Sequence, residues 1–193
     1  IVDRVRTNIF AAFASVNGET KVWSGSGLWT QPDHWTPVGI PGPKDSVIIH
    51  SGAVTISDSR DIGSMSISNA TLVLTNWSTG LRVTHELAVK NNGSVTLPAA
   101  FTTSQMSNRI WIVCSNLTVD SGGRIDASEK GYASSATTGY GPGGGTGPGA
   151  GNGHGGGGGH GGKGGNSGTP FAGGPTNGSA AVATGPGSGG GSG

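Results

Sequence analysis

Residues 87–97 read Leu87-Ala-Val-Lys-Asn-Asn-Gly-Ser-Val-Thr-Leu97, and residues 117–127 read Leu117-Thr-Val-Asp-Ser-Gly-Gly-Arg-Ile-Asp-Ala127. Each has an apolar-x-apolar pair, five residues rich in turn formers, and a second pair of the same kind. A looser copy runs from Met65-x-Ile67 to Leu72-x-Leu74. Alternation puts every second side chain on one face of a strand. The Asn, Asp, Ser and Gly residues between the pairs suit tight turns. Val47–Ile49, Val54–Ile56 and Ile110–Val113 extend the series of short strands on both sides. No segment has the pattern of a long helix.

The units resemble one another, and that similarity decides between architectures. Steps from Ile48 to Ile67, Val89 and Val119 are 19, 22 and 30 residues. Such steps suit coils with loops of variable length, each burying its apolar side chains on the next. A β-sandwich would offer similar strands but has no reason to repeat them. The expected fold is all-β: a short right-handed parallel β-helix over residues 44–130, followed by an ordered glycine-rich region over 131–193.

Residues 1–43 read as a capping or assembly segment. Val5, Ile9, Phe10 and Phe13 fit a short helix over 3–14 nearly as well as a strand. Trp23, Trp29 and Trp35 recur every six residues, and Pro32, Pro37, Pro41 and Pro43 break any regular element. Three indoles close the open end of an apolar core. Together with His34 they also offer flat faces to a sugar ring or to a partner.

The last zone is unusual in composition. Glycine occupies 40 of 193 positions, so its packing rather than its side chains must explain any order. Every odd position from Gly139 to Gly161 is glycine, and from His154 to Asn166 only each third residue varies. The triplet suits a polyproline-II-like (polyglycine-II) helix with three residues per turn. Residues 154, 157, 160, 163 and 166 then share one edge, and the other two edges are bare backbone. Such a helix has no internal hydrogen bonds, so it needs neighbours from its own chain or from other subunits.

The chemistry-bearing residues are sparse. Charged residues are 11% of the chain and the net charge is +1, with no basic patch for nucleic acid. The longest apolar run, Ile9–Val16, is far too short to span a membrane. Cys114 is the only cysteine and reads as a buried hydrophobe. His154 and His160 stand roughly 19 Å apart in the extended helix, too far for one ion. With Lys163 they read as polar edge groups for assembly or glycan contact. Asp58–Asp61 and Asp120…Asp126 are the closest acidic groups, and neither forms a catalytic signature. No phosphate-binding motif occurs in context. No catalytic residue, metal or cofactor is expected. Asn69, Asn76, Asn92, Asn116 and Asn177 each head an Asn-x-Ser/Thr triplet, which points to a secreted and glycosylated chain.

Trp23-Ser-Gly-x-Gly-x-Trp29, Trp35, Pro41 and Asp45-Ser-Val-Ile-Ile-His-Ser-Gly52 resemble the opening of extracellular parallel β-helix proteins of the secreted matrix or surface type, over about residues 22–75. Gly153-His-Gly155, Gly159–Gly165 and Gly187–Gly191 are similar to a glycine-rich insert of that family. In that family a further strand repeat follows the insert. Here the sequence stops at Gly193, which implies an edge that another subunit completes. The triplet part also resembles polyglycine-helix bundles of phage adhesins. The expected function is a non-enzymatic structural subunit of an extracellular fibre, appendage or matrix that self-assembles through its β-helix ends and its glycine-rich tail. An adhesin that binds glycans and a polysaccharide-active enzyme are the alternatives.

Overall fold

The computed structural model describes residues 18–102, 107–149, 153–167, 170–179, 181 and 184–192. The helix-or-strand segment read over 3–14 lies outside them. The fold is essentially all-β with parallel sheets. The strands are β1 (Thr20–Trp23), β2 (Gly27–Leu28), β3 (Trp35–Thr36), β4 (Ser46–Ile49), β5 (Ala53–Ile56), β6 (Arg60–Ile62) and β7 (Ser64–Ser68). They continue as β8 (Thr71–Leu74), β9 (Leu81–Lys90), β10 (Ser94–Thr96), β11 (Ile112–Val119) and β12 (Arg124–Asp126).

One sheet runs β11-β9-β7-β4-β1-β3, with β6 also paired to β9; the other runs β12-β10-β8-β5-β2. Every pairing is parallel except β1 with β3. From β4 onward the chain lays a strand in the first sheet, turns a short corner, and lays the next strand in the second. It does so with β4 and β5, β7 and β8, β9 and β10, and β11 and β12.

The register explains the sequence copies. Trp23, Ile49, Ile67, Val89 and Val119 are successive neighbours across the first sheet. Lys21, Val47, Met65, Leu87 and Leu117 form the adjacent row. Val54, Leu72, Val95 and Ile125 do the same in the second sheet. The interior members of these rows are buried against one another. Burying each such side chain contributes roughly 1.5–3 kcal/mol.

One expectation is corrected. Ile49, not Ile48, belongs to the row of Ile67, so the first step is 18 residues (67 minus 49). Ile48 pairs with Ser66 on the opposite face and is half-buried. A slip of one residue inverts every side chain of a strand, and the run Val-Ile-Ile carries no polar residue to show which member points inward.

Each corner from the first sheet to the second contains a residue with left-handed backbone: Gly25, Gly52, Asn69, Asn91 with Asn92, and Gly122. Only glycine and, among other residues, chiefly Asn and Asp adopt that conformation cheaply. The corners bond to one another. Asn69 N–H donates to Asn91 O (2.8 Å), Ser94 N–H to Ala70 O (2.9 Å) and Arg124 N–H to Gly93 O (3.0 Å).

The chain forms two compact units. One comprises Ile1–Leu97 with Ile110–Asp126, and the other Pro98–Arg109 with Ala127–Gly193. The expected boundary after residue 43 is not where the chain divides, because β1 and β2 pair directly with β4 and β5. Residues 98–109, expected within the strand core, belong to the second unit. There the buried Asn108 amide donates to Pro98 O (3.3 Å), Ala99 O (2.9 Å) and Lys130 O (2.8 Å).

Within the second unit, glycine backbones bond to one another without side chains between them. Gly156 N–H and Gly159 N–H donate to Thr146 O (2.7 Å) and Gly143 O (2.7 Å), while Gly157 N–H donates to Gly165 O (2.9 Å). Gly157 O accepts from Gly174 N–H (2.9 Å), His160 O from Asn177 N–H (3.1 Å), and Gly156 O from Gly191 N–H (2.9 Å). Partners therefore recur every third residue on the segment 155–160. A Cβ added at Gly156 or Gly159 would strike the carbonyl of Ala172 or Pro175, and one at Gly155 or Gly158 that of Gly191 or Ser188.

Ile49→Ala is expected to lower unfolding free energy by about 2–5 kcal/mol in denaturant titration, and Ile48→Ala by clearly less; equal losses would refute the register. Gly156→Ala is expected to lower the melting temperature of the glycine-rich unit. Gly165→Ala, where a Cβ would meet nothing within 4 Å, should change stability by no more than about 0.5 kcal/mol.

Candidate functional site: an uncovered last coil

The three tryptophans, read as closing the end of an apolar core and also as faces for a sugar or partner, present no surface: Trp23, Trp29 and Trp35 are each 0% exposed. Trp23 packs edge-on to Trp35 (4.9 Å, 67°), as does Trp29 (4.7 Å, 64°), and Trp23 stacks on His34 (4.6 Å, 15°). Trp23 Nε1–H donates to Gly25 O (2.8 Å) and Trp35 Nε1–H to Trp29 O (2.9 Å). The expected contact role for these three is corrected on this ground, since a buried indole meets no ligand.

Beside them, the row that is apolar in later coils carries Lys21. Its buried ammonium donates to Pro37 O (3.2 Å) and pairs with Glu19 (2.9 Å). The first coil therefore ends its apolar rows in aromatic rings and a compensated charge.

The last coil ends otherwise. Leu117, Val119 and Ile125 occupy the same rows as Leu87, Val89 and Val95, whose exposure is 0%, yet they are 51%, 45% and 38% exposed. β11 and β12 are also the terminal strands of their sheets, so each has one edge without a strand partner among the described residues. Apolar side chains left about half exposed, beside two strand edges without a strand partner among the described residues, form a surface suited to burial by another protein surface. These residues were not singled out from sequence. Leu117-x-Val119 reads the same as Leu87-x-Val89, and no local signal distinguishes the last copy from an inner one.

The glycine-rich unit places its expected edge groups as follows. His154, Gly157, Lys163 and Asn166 are exposed, His160 is half-buried, and Gly156 and Gly159 are buried. His160 Nδ1 lies 3.2 Å from Asn177 Oδ1. Asn177 Nδ2–H donates to Gly159 O (3.1 Å) and to Ser188 Oγ (2.7 Å). Its amide thus joins three segments of the unit, and a glycan on Nδ2 would remove one donor from that junction. Asn76 Nδ2–H donates to Ser57 O (2.8 Å).

Asn69, Asn92 and Asn116 are exposed. For Asn69 and Asn92 the left-handed corner backbone already accounts for the residue type. Cys114 is half-buried against the core. Asp58 accepts a bond from Arg60 (2.6 Å), and Asp61 lies 3.5 Å from Arg82. Among the described residues, no three His, Cys, Asp or Glu side chains gather at metal-binding spacing. No described helix is long and apolar enough to cross a membrane.

No protein-family model, curated protein or solved structure matches this chain.

In a host that adds N-linked glycans, peptide mapping is expected to find Asn116 occupied and Asn177 unmodified. A fully occupied Asn177 in folded protein would contradict the bonding at that amide.

Proposed function

We propose that the strand unit is a short right-handed parallel β-helix, that the glycine-rich unit is a polyglycine-II-like bundle, and that together they serve as a non-enzymatic structural subunit of an extracellular fibre, appendage or matrix. The alternation of strands between two parallel sheets supports the first element. Parallel connections of this kind are right-handed in nearly all proteins. Hydrogen bonds that recur every third residue support the second. The density of Asn-x-Ser/Thr triplets and the low charge support an extracellular setting.

One observation carries the assembly: Leu117, Val119 and Ile125 continue buried apolar rows into solvent. The occupant proposed is a second copy of this chain. Magnitudes set what that contact must contain. The three side chains, already about half covered, would supply on the order of 3 kcal/mol on full burial. Association costs roughly 4–15 kcal/mol in lost freedom. The side chains alone cannot hold copies together, so the open backbone edges of β11 and β12 must pair as well. The tryptophans and Lys21 close the corresponding rows at the first coil, which makes the last coil the place where contact begins.

The native chain is expected to show concentration-dependent mass in sedimentation equilibrium and assembled particles by electron microscopy. Leu117→Lys with Val119→Lys should remain monomeric with an unchanged circular-dichroism spectrum. A wild-type chain that stays monomeric at every concentration, or a double variant that assembles normally, would remove the last coil from the account.

A further inference from the structure

Away from the last coil's apolar rows, the outward face of the first sheet carries a groove formed by three strands in register. Asp61, Arg82 and Val113 are successive neighbours across β6, β9 and β11. Two residues earlier, just ahead of each strand, stand Ser59, Gly80 and Trp111, which line the same groove. The backbone ladder holds this second row as well: Arg60 N–H donates to Gly80 O (2.9 Å) and Leu81 N–H to Trp111 O (2.9 Å). The groove encloses about 220 Å³.

Its geometry follows from one glycine. A Cβ at Gly80 would stand 3.7 Å from Trp111 Cε3 and 3.8 Å from Cδ2, so the indole lies against the bare backbone of the neighbouring strand. Trp111 is nonetheless 49% exposed. The ring is thus seated on the sheet with about half of the residue exposed, unlike Trp23, Trp29 and Trp35. Gly80 N–H donates to Ser59 Oγ (3.1 Å), which fixes the rim on that side. On the other side Arg82 and Asp61 form a long pair, 66% and 61% exposed. A pair so exposed is weakly held, and both groups can turn toward a ligand at little cost.

We propose that this groove binds a pyranose unit of a glycan. A pyranose has an apolar C–H face that matches an indole face, and hydroxyls on its rim that both donate and accept. Arg82 supplies donors and Asp61 acceptors within one residue pair, beside the ring. Other occupants match less well. A nucleotide phosphate could pair with Arg82 only by lying beside the Asp61 carboxylate, which repels it. An apolar peptide would make no use of the two charged groups, which would stay paired with each other and solvated. The site is separate from the tryptophans that sequence reading singled out for glycan contact, and it does not depend on the assembly proposed above.

The full chain is to be tested on a glycan array, and the strongest sugar then titrated by calorimetry. Trp111→Ala is expected to weaken binding by about tenfold or more, as loss of a central aromatic contact does, with Trp111→Phe retaining most of the affinity. Arg82→Ala, a change to an exposed side chain, should weaken binding without lowering the melting temperature, which separates a lost ligand contact from a damaged fold. The proposal is overturned if no sugar binds the full chain, if Trp111→Ala binds as the wild type does, or if Arg82→Ala and Trp111→Ala lose affinity only in step with lost stability. Capture of a protein instead of a sugar at Trp111 would also overturn it.

Discussion

The strand unit depends on apolar rows running at right angles to the chain. Ile49 stands beside Ile67, Ile67 beside Val89, and Val54 beside Leu72 because parallel pairing holds each strand at the height of the last. No strand has enough apolar surface to stand alone; several offer only two inward residues. Stability is therefore a property of neighbours, as in other stacked repeats. The corners make this possible. A left-handed residue at each lets the chain turn within two to four residues, and the corner amides bond to the corner carbonyls of the adjacent coil.

The glycine-rich unit solves a different problem. Ordering a glycine costs more backbone entropy than ordering any other residue, on the order of 1–2 kcal/mol. A typical hydrogen bond returns about 1 kcal/mol net. Segment 155–160 meets the cost by having neighbours on several sides, with bonds to 143–146, 165, 174–178 and 191. The absence of side chains is the means of attraction, since Cβ atoms at Gly156 or Gly159 would hold the carbonyls apart. Each of these neighbours comes from the chain's own sequence.

Most strands of the core were legible in the sequence, because an apolar-x-apolar pair bounded by turn formers has few other readings. The copies Met65–Leu74, Leu87–Leu97 and Leu117–Ala127 are stacked in the register their resemblance suggests. What escaped has physical causes. Arg60–Ile62 and Leu81–Glu86 also form strands; Leu81-Arg-Val-Thr84 alternates, but Thr84-His85-Glu86 breaks the pattern before Leu87. Trp23, Trp29 and Trp35 look alike whether they cover a core or face a ligand, and only three-dimensional packing tells these apart. Trp111 gave no sign of its exposure, since it follows Ile110 at the start of an apolar run. The open rows at Leu117, Val119 and Ile125 were invisible for the reason that repeats are visible: Leu117-x-Val119 carries the same letters as the buried Leu87-x-Val89.

The two kinds of connection in the strand unit are unequal, and this has an evolutionary consequence. The corners at 50–52, 69–70, 91–93 and 120–123 are short and bonded in series, so an inserted residue there would disturb every coil above it. The return connections at 57–59, 75–80 and 97–111 already differ widely in length while the rows they join stay aligned. New sequence can therefore be accepted at those connections, and a lineage could vary the surface there without retuning the stack.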